Sequence, residues 1–470
     1  MLVVAALSCA LAAGGQAPNP SSASNPFYGS ITAHPATGDV IQLSLDDAIH
    51  RGLDNNLGLK QAEYSELSIH GQKLQALQEF LPSITVSGET GFHQYNLAAQ
   101  GFGPGVLAQF AKHFPGGIPG GFSPITRATV TQGQLHFNQI LFSGPVIAGW
   151  RAAGAATSAA HFVTTRARGE VVQQVATAYL HAIAAASEVD NAKALEQEDQ
   201  VLLNQAHAEH EAGTASNLDE LRARVQLQSQ QQVLISAQNT LDKDLILLKR
   251  EIGLDPGQNL VLSDPAPYGE LAAQTPEEVR ATAYKSRQDY QNLQNQLVEF
   301  KAVHAAYRSQ RLPTLSFSGN YGVTQVGGVG SHGTFSAVGT LSFPLFREAR
   351  LRGDEQASQA QLDSVTSQLE DLRGKIDQQV RSALLDVDAT TKFVQVARSN
   401  VELATRALSD ETDRVNAGVD DNLPLVTAQA TLAAAQSNLV EGLYQYNLSK
   451  LALARAAGVL EQQYRVYLGR

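Results

Sequence analysis

Residues 212–227, AGTASNLDELRARVQL, return about 205 positions later as residues 417–432, AGVDDNLPLVTAQATL. Each stretch begins with an Ala-Gly pair, a common end of a helix, and continues with the start of another helix. A chain that contains the same unit twice is built from structural repeats. The sequence therefore predicts a fold made of two copies of one unit, each with a helix reversal.

Two further pairs of segments extend the repeat. LPSITVSGETG at 81–91 is answered by LPTLSFSGNYG at 312–322, and QQVATAYL at 173–180 by QQVRSALL at 378–385. The first pair lies about 231 residues apart and the second about 205, so the first copy carries some 26 additional residues. Residues 98–124, rich in Gly and Pro, account for them and read as a loop.

Composition excludes several classes of protein. The net charge is -11 and no basic stripe is present, which argues against nucleic-acid binding. Residues 1–17 are apolar and end in small residues, as in a secretory signal peptide, although Ala6 to Cys9 also resemble a lipoprotein box. No other segment has the length of apolar sequence that a membrane-spanning helix needs, so we expect any membrane crossing to consist of strands.

Four segments alternate with period two, as strands do, and have the length that crosses a bilayer when tilted. They are residues 83–97, 125–142, 314–326 and 334–346. In each, one face is apolar and the other is small and polar, which fits a barrel wall between lipid and a wet lumen. We expect the apolar face to meet lipid through Phe317, Tyr321, Leu341 and Phe343.

Very long helices follow the strands in both copies. They are predicted at residues 144–212 and 217–252, and again at 347–417 and 422–458. A helix of close to 70 residues is a rod of about 100 Å. The returning helices have apolar residues at seven-residue spacing, which predicts antiparallel coiled-coil packing. The seam residues are Leu227, Leu234, Leu241 and Leu248, then Leu432, Leu439, Tyr446 and Leu453.

These segments define the domain organisation. The first repeat covers residues 40–252 and begins with a helix over 44–80, a linker covers 253–276, and the second repeat covers 277–460. Four strands cannot close a barrel, and open strand edges are not tolerated in lipid. We therefore expect a mixed α and β fold in which three chains form a 12-stranded transmembrane β-barrel, continued by a long periplasmic coiled-coil tunnel.

The duplicated order of helix, LP-strand, strand, long helix, AG turn and returning helix resembles the outer-membrane efflux (TolC) family. The resemblance spans roughly residues 40–460. It implies a homotrimeric outer-membrane channel-tunnel, with its helical part in the periplasm. Such a channel exports small molecules or proteins from an inner-membrane transporter, with a periplasmic adaptor as the further partner.

The resemblance also assigns roles to residues at the helix reversals. The turns that dock the adaptor correspond to Gly213, Thr214, Gly418 and Val419. A carboxylate that helps to close the periplasmic end corresponds to Asp219. The sequence departs from the family pattern because the basic partner of that carboxylate falls at Asp420, and the constriction carboxylates fall at Pro424 and Thr427. We expect Asp219, Glu220, Asp420 and Asp421 to line the entrance or, alternatively, only to favour helix starts through the helix dipole.

No motif for catalysis, a cofactor or a nucleotide is recognisable, so an enzyme is not expected. His207 and His210 share a helix, but two imidazoles at this spacing are a weak metal signal, and no metal site is predicted. The alternative function is a periplasmic coiled-coil adaptor or structural protein whose strands belong to a small soluble domain.

Overall fold

The computed structural model describes residues 22–31, 35–101, 103–112, 125–213, 216–265, 267–327, 330–417 and 422–469. The predicted signal peptide at 1–17 lies outside this part of the chain. Five of the residues assigned to the helix reversals and the entrance also lie outside it: Thr214, Gly418, Val419, Asp420 and Asp421.

Ten α-helices and six strands are found in the described residues, in an order that repeats. The first half contains β1 (Ile41–Leu43), α1 (Leu45–Asn55), α2 (Leu57–Gln78), β2 (Ser83–Asn96), α3 (Pro104–Ala111), β3 (Ile125–Phe142), α4 (Gly144–Glu211) and α5 (Asn217–Ile252). The second half contains β4 (Leu260–Leu262), α6 (Pro276–Ser286), α7 (Gln288–Ser309), β5 (Thr314–Val326), β6 (His332–Ser342), α8 (Glu348–Asn416), α9 (Asn422–Ala457) and α10 (Leu460–Leu468).

The helix predicted over 44–80 is interrupted once. Asn56 is extended between α1 and α2, with a ψ of 130°. Its side-chain oxygen accepts hydrogen bonds from the backbone N–H groups of Gly58 and Leu59, at 2.9 and 3.3 Å. An Asn side chain that satisfies the first N–H groups of a helix starts that helix anew, so the prediction of one helix was wrong here.

Three segments differ from the sequence-based expectation in a smaller way. The Gly-rich segment at 98–124 was predicted as loop, yet it contains α3. The linker at 253–276 contains β4, which pairs in parallel with β1. The strand predicted over 334–346 ends at Ser342, and Phe343 lies beyond it. Pro344 explains that end, because proline has no N–H for the strand ladder and restricts the residue before it.

The large sheet has four antiparallel strands in the order β2-β3-β5-β6. Its register is continuous between β2 and β3, from Ser83 opposite Asn138 to Asn96 opposite Ile125. One bulge interrupts the pairing of β3 with β5, between Ile140 and Phe142. Among the described strands, β2 and β6 each pair with one neighbour only, so both are edge strands.

The chain forms two compact units. One consists of residues 1–67, 159–294 and 368–470 and is helical apart from the small β1–β4 sheet, and the other consists of residues 68–158 and 295–367 and contains the large sheet. No helix in the described residues combines the length and apolar character that membrane spanning requires.

Within the helical unit, the helices of each repeat pack antiparallel, as predicted. His181 on α4 contacts Asp244 on α5 at 2.8 Å, whereas His207, further along α4, contacts Glu220 near the start of α5 at 3.3 Å. In the second repeat, Thr390 of α8 hydrogen-bonds Ser449 of α9 at 2.9 Å. The seam residues that are buried are Leu227, Leu248, Leu432, Tyr446 and Leu453.

Polar contacts join the two repeats inside this unit. Ser437 of α9 donates a hydrogen bond to Glu188 of α4 at 2.8 Å, and Arg455 of α9 forms an ion pair with Glu170 of α4. The linker is held on α9 as well, because the Tyr446 hydroxyl donates to the carbonyl of Gly269 at 3.0 Å. Within this unit, α4 is therefore the neighbour of α9 as well as of α5.

Candidate functional site

The register of the large sheet places most of the large apolar residues of its four strands on one face. Residues directly opposite each other in an antiparallel sheet share a face, and side chains alternate along each strand. Ile84 lies opposite Phe137, Leu135 opposite Tyr321, and Tyr321 also opposite Phe335. The large apolar side chains of this face are Ile84, Val86, Phe92, Leu135, Phe137, Leu315, Phe317, Tyr321, Val323, Phe335 and Leu341.

Three of the four residues predicted to meet lipid lie on this apolar face. Tyr321 and Leu341 are exposed, at 68% and 57% of their full surface. Phe317 packs edge-to-face against Phe137, with 5.7 Å between ring centroids, and is partly buried. Phe343 follows the end of β6 and is exposed outside the strand pattern.

The opposite face of the sheet carries a chain of polar side chains across three strands. Asn320 on β5 donates to Gln134 on β3, Gln134 donates to Gln132, and Gln132 donates to Glu89 on β2, each at 3.0 Å. On the same face, Ser87 and His136 are 2.9 Å apart. In this series of hydrogen bonds, each donor lies on the Asn320 side and each acceptor on the Glu89 side. Hydrogen bonds in such an arrangement polarise one another.

These two faces differ in the way that a membrane barrel requires. An apolar face can contact the hydrocarbon core of a bilayer. A face of amides, hydroxyls and a carboxylate needs contact with water. The alternation was visible in the sequence, but the hydrogen-bonded chain from Asn320 to Glu89 depends on register and was not predicted.

The second candidate site is the reversal between α4 and α5. Gly213 has a φ of +75°, in the left-handed region, and its N–H donates to the carbonyl of His210 at 3.0 Å. Glycine adopts this conformation without strain, which is why it ends the helix. A Cβ atom at Gly213 would meet no described atom within 4 Å, so the turn is open to its surroundings.

Asp219, expected at the entrance, belongs to the cap of α5. Its backbone N–H donates to the Ser216 hydroxyl at 3.3 Å, and its carboxylate accepts from the backbone N–H of Ser216 at 3.2 Å, so the two residues form a capping box. The hydrogen bond from the Ser216 hydroxyl lowers the pKa of Asp219. The cationic partner of Asp219 is Arg222 on the same helix, at 3.4 Å.

Glu220, also expected at the entrance, is buried and tied to both helices of the hairpin. Its carboxylate accepts from Arg224 at 2.8 Å and lies 3.3 Å from His207 Nδ1. The contact with His207 bridges α4 and α5 close to the reversal. His207 is also 3.5 Å from Glu211, and the described residues contain no group of three or more His, Cys, Asp or Glu positioned for a metal ion.

One acidic residue near this reversal was not singled out from the sequence. Asp199 on α4 is 3% exposed and lines a cavity between α4, α5 and the start of α9. The signal was present, because the buried positions of α4 recur every seven residues and Asp199 occupies one of them. The other members of this series are Ala178, Ala185, Ala192 and Ala206.

Known proteins resemble this chain in sequence. A sequence profile of the family described as outer membrane efflux protein matches residues 48–254 and 279–459. The alkaline protease secretion protein AprF of Pseudomonas aeruginosa is 26% identical over 310 residues, which are 62% of this chain and 62% of AprF. The outer membrane protein TolC of Escherichia coli is 21% identical over 315 residues, again 62% of each chain. The chain thus spans less than two thirds of the length of these curated relatives.

A solved structure resembles the chain in fold. The crystal structure of a membrane protein from Pseudomonas aeruginosa superposes with a TM-score of 0.75 at 19% identity, covering 91% of this chain and 100% of that one. The fold is therefore shared although few residues are identical. Together with the profile match, which covers most of the chain in one segment per repeat, this shows that the chain belongs to the outer membrane efflux protein family.

Proposed function

We propose that the protein is an outer-membrane channel that conducts exported molecules out of the cell. Three chains form one 12-stranded barrel, and the helical hairpins form the periplasmic part of the conduit. The cargo, small molecules or proteins, comes from an inner-membrane transporter through a periplasmic adaptor. The channel itself is passive and takes no part in chemistry.

The observation that carries this proposal is the division of the large sheet into an apolar and a polar face. Tyr321 and Leu341 lie on the face that would contact lipid. Gln134 and Asn320 lie on the face that would contact water in the lumen. A soluble adaptor would bury one face of such a sheet on a core, yet most of the large residues on the apolar face here are exposed.

The number of chains follows from the edges of the sheet. β2 and β6 leave a row of backbone N–H and C=O groups unpaired, and each such group costs several kcal/mol in lipid. Pairing β6 of one chain with β2 of the next satisfies both edges. Three copies give an even number of strands within the range of bacterial barrels.

The helix reversals are the part of the chain that we assign to the adaptor. Gly213 supports this, because its turn is open and its left-handed backbone fixes the reversal in a short segment. Thr214 extends the docking turn of the first repeat, and the equivalent turn of the second repeat is Gly418 and Val419. Acidic residues adjoin both turns, and we assign Asp219, Asp420 and Asp421 to the entrance, whereas the neighbouring Glu220 is buried in the hairpin.

Disulfide cross-linking between edge strands tests the trimer. Cysteine pairs on the polar face, such as Ser87→Cys on β2 with Ser336→Cys on β6, are introduced at several registers into a Cys9→Ser background. Oxidation in isolated outer membranes should give covalent dimers and trimers, with trimers as the largest product. The matched control places cysteines on the inner strands, at Gln132 and Asn320, which should yield no product between chains.

Two outcomes would contradict the proposal. One is a ladder of products that stops at two chains or continues past three. The other is inter-chain cross-linking from the inner-strand pair at the same efficiency as from the edge pair.

A further inference from the structure

We propose that the first helical hairpin binds a hydrophobic monocation in the cavity that Asp199 lines near the reversal. This inference goes beyond the conducting function, since it concerns a ligand site within the wall of the helical unit.

Asp199 is a buried carboxylate among the small apolar residues of the buried face of α4. The buried series along this helix consists of alanines at seven-residue spacing on both sides of it, including Ala192 and Ala206. The equivalent position in the second repeat, 205 residues later, is Ala404, which packs with Leu432 and Ala435 in an apolar cluster. One repeat therefore has a buried carboxylate where the other has a buried methyl group.

The cavity has the size and lining of a small-molecule site. Its volume is about 410 Å³, within the range of pockets that enclose drug-sized ligands. Apolar side chains from three helices form most of its wall, and the polar lining residues are Asp199, Asp219, Arg222 and Gln226. The apolar members include Leu202, Leu221, Val225 and Leu425.

The charges around the cavity leave Asp199 without a cationic partner. Arg222 also lines the cavity but bonds to Asp219 at 3.4 Å, and Arg224 bonds to Glu220 at 2.8 Å. Asp199 forms no ion pair with any described residue, and its hydrogen-bond partner is the neutral Gln226.

Protonation of Asp199 follows from this environment. Burial raises its pKa to about 6, and the nearby carboxylates of Glu198 and Glu196 on α4 act in the same direction. Of the other charged lining groups, Arg222 is always protonated, and the lowered pKa of Asp219 keeps it ionised over this range. The lining residues of α9, Leu425 and Val426, carry no titratable group.

A cation with an apolar body fits both properties of this cavity. Its charge would pair with the Asp199 carboxylate, which has no Arg or Lys partner among the described residues. Its apolar body would cover the exposed side chains of Leu221 and Val225. An anion would face an unpaired carboxylate in a site of low dielectric and would be rejected.

The test compares a permanent cation with a neutral molecule of the same shape. Ethidium and 6-phenylphenanthridine are titrated into the purified full-length protein in detergent, with fluorescence as the readout. Ethidium has no group that titrates near neutral pH, so its affinity should follow the ionised fraction of Asp199. That fraction rises about tenfold between pH 5 and pH 7 for a pKa near 6, and the affinity should rise by the same factor. The affinity of the neutral compound should stay constant once its own protonation is allowed for.

Substitutions locate the site. Asp199→Asn removes the charge and keeps the shape, so we expect ethidium to bind at least about tenfold more weakly at pH 7 and without pH dependence. Binding of 6-phenylphenanthridine should be unchanged in this variant. Asp199→Ala, which copies the second repeat, should act like Asp199→Asn on ethidium. Val225→Trp fills the cavity from an exposed position, and it should weaken the binding of both compounds.

Three results would overturn the inference. The first is an ethidium affinity that is equal in the wild type and in Asp199→Asn. The second is an affinity that does not change between pH 5 and pH 7. The third is that neither compound binds while Val225→Cys forms disulfides between chains, which would show that a second copy fills the cavity.

Discussion

At the residue scale, a buried acid on α5 ties stability to pH. Glu251 is fully buried, and one carboxylate oxygen accepts from Gln174 at 2.9 Å while the other has no hydrogen-bond partner among the described residues. Burial raises the pKa of Glu251 from its ordinary value near 4.5 to about 8. The group therefore stays protonated in the folded protein at neutral pH.

The sign of the pH dependence follows from this raised pKa. The protonated carboxyl of Glu251 favours the folded state. This stabilisation is complete below pH 4.5, the pKa of the group in the unfolded chain, and is lost as pH rises through about 8, its pKa in the folded protein. Over that window the free energy of unfolding should fall by about 1.4 kcal/mol per pH unit from this group. Glu251→Gln should remove this slope, so the variant should gain stability relative to the wild type between pH 6 and pH 8. Melting followed by circular dichroism checks it, and parallel curves for the two proteins would show that Glu251 is ionised.

Gly213 makes a second prediction at this scale. Because no described atom lies within 4 Å of a Cβ placed there, a methyl group at this position meets no clash in the described part of the chain, and its cost is backbone strain. Gly213→Ala introduces the strain of a left-handed alanine, about 1–2 kcal/mol, without bulk. Gly213→Trp adds bulk to the same strain.

Cargo export by intact cells, measured beside the amount of trimer in the outer membrane, separates the two effects. We expect Gly213→Ala to retain most of the efflux and Gly213→Trp to abolish it, while both variants still assemble trimers in the outer membrane. Full efflux by Gly213→Trp would mean that the adaptor does not dock on this turn.

At the element scale, the two faces of a strand should respond differently to charge. Tyr321 lies near the middle of β5 on the apolar face, and Ser318 lies on the polar face of the same strand. Tyr321→Arg should cost about 2–4 kcal/mol, the usual value for a cation facing lipid near the midplane. Ser318→Arg, the matched control, should have little effect. The fraction of heat-sensitive oligomer in outer-membrane extracts measures both, and equal losses would mean that the faces are assigned incorrectly.

The strands and the long helices could be predicted because their signals are local. Alternation along β5 and the seven-residue spacing along α5 are each readable within one segment. The short strand β4 could not be predicted, since its three residues gain their structure by pairing with β1, some 219 positions earlier in the chain. A search for catalytic or metal motifs does not find Asp199. It stands out only when the seven-residue spacing of the buried alanines along α4 is followed.

At the scale of the whole molecule, the duplication explains both the symmetry of the fold and its departures. Each repeat contributes two strands to one sheet and one long helical hairpin. The repeats differ near the reversals, where Asp199 and Glu220 of the first copy correspond to Ala404 and Leu425 of the second. The first hairpin thus has buried carboxylates at two positions where the second has buried apolar residues.

Cysteine accessibility in single channels shows whether the polar face of the sheet lines a water-filled pore. Cysteines are placed singly on the polar face, at Ser87 or Gln134, and on the apolar face, at Val86 or Leu135, in a Cys9→Ser background. A charged, membrane-impermeant thiol reagent is then added to channels in a planar bilayer. We predict stepwise changes in conductance, up to three per channel, for the polar-face variants and none for the apolar-face variants. Conductance changes confined to Val86 and Leu135, or the absence of any conductance from the purified protein, would contradict the account.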